Sequence, residues 1–136
     1  MEFTWLSRWQ PQLLALLRIV TALLFLQHAL IKLFGFPPGG KPGLQQVGTL
    51  LWSAGVIEFV TGLLVLMGLW TRLAAFVAAG EMAVGYWMIH GQQSLYPAVN
   101  MGEAAVLFCF VFLYLAAVGP GAWSVDGARF RASMPR

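Results

Sequence analysis

The chain has 136 residues, 60% of them hydrophobic and only 10% charged, with a net charge of +3 and a mean hydropathy of +0.76. No soluble domain of this size carries that composition on its surface, so one integral membrane domain over residues 1–136 is expected, with about twenty residues per span and four spans fitting best. The single cysteine, Cys109, excludes an intrachain disulfide framework, a two-thiol redox motif and a structural zinc site, and the small positive charge is no nucleic-acid signature.

Residues 1–12 place Trp5, Trp9 and Arg8 before Pro11, an interfacial lead-in to a helix. The first span is expected at about 13–34. It has charges within it and no small-residue cleavage site after it, so it reads as a retained helix and not a signal peptide. Arg18, Thr21, Phe25, His28 and Lys32 fall within an arc of roughly 80° on this helix, at 100° per residue. A cation facing hydrocarbon costs several kcal/mol, so this stripe must face other helices that bring acids. A Gly/Pro loop with Lys41 follows.

The second span, at about 47–70, puts Gly48, Leu51, Gly55, Glu58, Thr61, Gly62 and Val65 on one face, with small residues that permit close helix approach. GLWTRL at 68–73 leaves room only for a tight turn into the third span, at about 73–89. Glu81 lies near the centre of that span, with Val77, Val84, Gly85 and Met88 on its side; His90 and Gly91 end it. After an uncharged loop, Asn100 is expected to cap the fourth span, at about 101–119, whose acid-bearing face holds Glu103, Phe110 and Tyr114. Gly119, Pro120 and Gly121 stop that helix. The basic tail, 120–136, is expected to lie on the membrane surface or fray.

Counting Lys and Arg outside the spans sets Arg8, Arg72, Arg129, Arg131 and Arg136 against Lys41. The fold expected is therefore an all-α, integral membrane four-helix bundle with both termini in the cytoplasm. His28, Lys32, His90, Asn100 and Glu103 then lie toward the outer side, with Glu58 and Glu81 near mid-membrane. Together they would line an outward polar pocket. Lys32 with Glu103 is the expected ion pair, either as a packing staple or as a ligand contact. Glu58 and Glu81 suit proton handling, or neutral hydrogen bonds between helices. Arg18 is expected to snorkel to the cytoplasmic interface, and Tyr114 to support the pocket. His28 and His90 stand as a haem pair would, but His90 closes its helix, so haem is not favoured. Phe108, Phe110 and Phe112 read as core or lipid-facing residues, or as a slot for a flat quinone ring. No metal-ligand cluster, phosphate loop or hydrolase nucleophile motif occurs.

HALIKLFGF in span one, IEFVTGLLVLMGLWTRLAA in span two, NMGEAA opening span four and the ending GPGAWSVD together resemble the DoxX family of small bacterial membrane proteins, over roughly residues 18–126. The resemblance implies a four-helix bundle in the bacterial plasma membrane. It carries family positions onto Lys32, Glu58, Asn100, Gly102 and Glu103; Met101 stands where the family has a second small residue. It also implies association with membrane oxidoreductase complexes linked to quinones and oxidative stress. The expected function is a quinone- or lipophile-binding subunit with no electron carrier of its own, working with redox partner subunits or as a homo-oligomer. Alternatives are a non-catalytic assembly or stress-response factor, and a small proton-coupled transporter, which four spans with one tight turn serve poorly unless the protein dimerises.

Overall fold

Pro11 starts the longest helix, where its missing N–H is no loss, and Gly35 ends it in the left-handed conformation with φ 68°. That helix, α2 (Gln10–Phe34), follows the short α1 (Thr4–Ser7) in a computed structural model that describes residues 4–134. Arg136 of the basic tail lies outside the described residues. The chain continues with α3 (Leu50–Met67), α4 (Thr71–Gly85) running into a π-helical turn (Tyr86–His90), α5 (Pro97–Asn100), α6 (Glu103–Val118) and α7 (Val125–Ala132). No strand occurs among the described residues.

Three helices, Gln10–Phe34, Leu50–Met67 and Thr71–His90, are long and apolar enough to cross a membrane. The fourth apolar helix, α6, has 16 residues, or about 24 Å at 1.5 Å per residue. That is short of the roughly 30 Å hydrocarbon core.

Helix α2 lies along α3, α3 along α4, and α4 along α6. The ring of contacts closes where Phe25 of α2 meets Phe108 and Phe112 of α6, with centroids 5.4 and 4.7 Å apart. Around these rings Ala22, Val65, Ala74, Ala75, Ala78 and Leu115 form the core.

The expected inner face of α3 is the buried one: Gly55, Glu58, Thr61, Gly62 and Val65 all point inward. A Cβ on Gly62 would stand 2.8 Å from Leu26 Cδ2, so the glycine sets how closely α2 and α3 approach. Gly62→Val is expected to destabilise by about 1–3 kcal/mol through overpacking, read as a lower denaturant midpoint in detergent. An unchanged midpoint would mean that the α2–α3 seam has slack.

Two faces differ from expectation. Helix α4 buries Ala74, Ala75, Ala78 and Ala79, while Val77, Val84 and Met88 are exposed. Helix α6 buries Phe112 and Leu115, while Phe110 and Tyr114 are exposed. Both helices are apolar nearly all round, so hydrophobic period does not choose a face; the small alanine surface lets α4 approach α6 closely and wins.

Residues 120–132 of the tail are not frayed. Ser124 caps α7 by accepting from the Gly127 N–H at 3.1 Å, and residues 120–126 are bound to three helices, as described next.

Candidate functional site

Lys32 sits in the last turn of α2, just before the Gly35 stop, and its Nζ donates to Glu58 Oε1 at 2.5 Å. Glu58 is 1% exposed and Lys32 9%. Gly55, one turn before Glu58, makes the pair possible, because its Cα hydrogen faces Lys32 where a Cβ would be 3.0 Å from Lys32 Cβ. Glu81 of α4 lies within electrostatic reach of both Glu58 and Lys32. His28, one turn before Lys32, feels the same cation, and its ring packs edge-on to Phe108 at 5.8 Å. Two carboxylate oxygens, Glu58 Oε2 and Glu81 Oε2, are buried with no hydrogen-bond partner among the described residues.

The expected Lys32–Glu103 pair is not formed. Glu103 is exposed in the first turn of α6, where it suits the positive end of the helix dipole. Lys32 finds its acid on α3 because α2 and α3 are packed along their length, whereas α2 and α6 touch chiefly through phenylalanine rings.

His90 and Asn100 belong to a second polar group. His90 Nδ1 is 2.9 Å from the Asn100 carbonyl oxygen, and its ring stacks on Tyr86. The Asn100 amide donates to Tyr86 Oη at 3.1 Å and to the Ser94 carbonyl at 2.9 Å, and its oxygen accepts from the Gly102 N–H at 2.8 Å. Asn100 therefore does not cap α6, whose N-cap is Gly102; it closes the loop between α4 and α6. Met101 next to it has φ 58°, the left-handed region where glycine costs least. Tyr114 lies away from both groups, beside Leu13, Leu14 and Leu17 in a groove of about 410 Å³.

Arg18 does not snorkel. It is fully buried, and its guanidinium donates five hydrogen bonds: to the Val65 and Leu66 carbonyls at 2.8 and 2.6 Å, and to those of Pro120, Ala122 and Trp123 at 2.8, 3.3 and 2.8 Å. It thereby satisfies the last carbonyls of α3 and holds the segment before α7. From that segment Asp126 accepts from the Trp70 and Thr71 N–H groups, each at 2.9 Å, and from the Thr71 hydroxyl at 3.0 Å. Arg72 in turn donates to the Ala116, Ala117 and Val118 carbonyls that end α6.

Sequence reasoning missed Asp126, Arg72 and Tyr86. One signal was present for the first: Asp126 is the lone aspartate of the chain, set in an otherwise basic tail.

Burial pushes the Asp126 carboxyl up, but hydrogen bonds from Thr71 and Trp70, with Arg129 nearby, outweigh it and leave the group below the ordinary aspartate value of 3.8. A value lower in the folded state than in the unfolded one stabilises at pH above 3.8 and ceases to as pH falls through the lowered value. Asp126→Asn is expected to cost about 1 kcal/mol at neutral pH, as for a lost helix cap. In melts of the two proteins the difference should shrink below pH 3.8; a gap that persists in acid would assign the effect to shape and not charge.

The family model DoxX matches residues 13–91, which include His28, Lys32, Glu58 and Glu81 but not α6. The chain is 41% identical over 130 residues to an uncharacterized protein of Haemophilus influenzae, covering 93% of this chain and 97% of that one. It is 30% identical over 135 residues to an uncharacterized membrane protein of Mycobacterium tuberculosis, covering 85% and 80%. No solved structure gives a significant match.

Proposed function

The chain belongs to the DoxX family of membrane proteins, and on that premise we propose that it is a four-span subunit of the bacterial plasma membrane, with both termini in the cytoplasm, that binds a quinone-like lipophile at Lys32, Glu58 and Glu81. The carrying observation is the pair of buried carboxylate oxygens that lack donors among the described residues, near an ammonium with one of its three N–H groups engaged there. A quinol hydroxyl supplies a donor that such an oxygen wants, and a quinone carbonyl accepts from the ammonium. One cation faces two carboxyl groups, so electroneutrality in hydrocarbon asks for one more proton at the cluster. The site thus has the parts for taking a proton from a quinol or returning one. Electrons would come from a partner, since the side chains here carry none.

Such a ring would enter by parting the seam between α2 and α6. Helices α2 and α6 meet mainly through Phe25, Phe108 and Phe112, and the partly exposed His28 and Phe108 stand at that seam. Titrating the purified protein with ubiquinone and menaquinone analogues should give saturable tryptophan quenching in the wild type and a much weaker response in Glu81→Gln. Linear, unsaturable quenching in both would end this reading.

A specific observation favours a second reading, an assembly or stress-response factor. The Lys32–Glu58 pair is closed at 2.5 Å, and the grooves beside Tyr114 and beside Trp70 lie elsewhere. Under it the charges only set the bundle. The double substitution described in the Discussion separates the two.

A further inference from the structure

At the end of the bundle that holds the α3–α4 turn, α7 leans over the start of α4 and leaves a groove of about 770 Å³ lined by Trp70, Arg72, Leu73, Pro120, Asp126 and Phe130. It shares no residue with the Lys32 cluster. We infer that this groove is a binding site for an anionic phospholipid, with the phosphate on Arg72 and an acyl chain running down α4.

Arg72 is exposed, and its Nη1 and Nη2 donate to the three carbonyls that end α6. Those bonds orient the guanidinium and use three of its five N–H groups. Its Nε–H and one Nη2–H have no partner among the described residues, which leaves donors suited to a phosphate. Asp126 keeps its negative charge, which the Trp70 and Thr71 donors it accepts from offset only in part. Arg129 is exposed and within electrostatic reach of Asp126, so it and Arg72 together outweigh the one carboxylate.

Lipid and not a soluble phosphate is indicated by what surrounds these cations. Trp70, Leu73 and Phe130 are each more than half exposed, an aromatic and aliphatic wall that suits the headgroup boundary. Below Leu73 the exposed surface of α4 continues through Phe76 and Val77 to Gly80, whose missing Cβ faces open space. A phosphate site on a cation with an apolar track beneath it has the outline of one phospholipid.

The test uses the full chain in detergent with phosphatidylglycerol or phosphatidylcholine added, read by native mass spectrometry and thermal shift. Phosphatidylglycerol should form adducts about tenfold more readily than phosphatidylcholine, the worth of one charge-assisted contact, and raise the melting temperature. Arg129→Gln and Phe130→Ala lie outside the hydrogen bonds of the clasp; each should reduce the phosphatidylglycerol shift by clearly more than it lowers the lipid-free melting temperature. Arg72→Lys keeps the charge, loses the fork, and should weaken adducts about as much as Arg129→Gln. Equal adducts and shifts with the two lipids would overturn the inference. So would wild-type binding by all three variants, or a full shift produced by water-soluble glycerol phosphate.

Discussion

Arg18→Met is expected to destabilise the protein by on the order of 4 kcal/mol, one of the two largest effects expected of a single side chain. Five carbonyls lose a charged donor at once, and methionine offers them nothing. Because the acceptors belong to the end of α3 and to residues 120–123, the damage should be local first: the segment before α7 should release and trypsin should cut at Arg129 and Arg131 faster than in the wild type. Arg18→Lys isolates geometry from charge. Lysine has three donors on one nitrogen and cannot span two chain segments as a planar fork does, so it should recover less than half of the loss. The measurement is denaturant unfolding in detergent micelles followed by tryptophan fluorescence, alongside timed proteolysis. A methionine variant with wild-type stability and proteolysis would show that the clasp holds nothing together.

Lys32→Met is the second large effect, expected at about 3–5 kcal/mol. Glu58, 1% exposed, would be left in an apolar interior without its cation. The informative experiment is the double variant Lys32→Met with Glu58→Leu. Removing both charges together should return most of the lost stability, since a buried pair replaced by apolar groups of similar size is often neutral. With folding restored, quinone-analogue binding decides between the two proposed functions. A ligand site loses saturable quenching in the double variant; a purely structural pair leaves the cellular phenotype of the intact protein unchanged. If the double variant is no more stable than Lys32→Met alone, the 2.5 Å contact is not the energetic unit described.

The apolar runs, the stops at Gly35 and Gly119, the tight turn from Gly68, and the inward face of α3 were all legible in the residue order. Each depends on local chemistry. Glycine reaches φ values other residues avoid, as at 68°, 67° and 93° here, and a glutamate with two glycines on one face of an apolar helix has few places to go. The partners of the cations were not legible. Lys32 had three glutamates in the later apolar runs to choose from, and helical period says which side of α2 it occupies but not which helix stands opposite. Asn100 likewise read as a cap because its neighbours spell a helix start, whereas the left-handed Met101 turns the chain and passes that position to Gly102.

Taken alone, the sequence determined that this protein is helical, membrane-embedded and furnished with charges that must be paired inside it, because the cost of leaving them in hydrocarbon is set by residue type and not by fold. Only the tertiary structure decided the pairing. Arg18 is answered by backbone carbonyls 47 to 105 residues away, and since every residue carries a carbonyl, no pattern of side chains can announce which ones will be near.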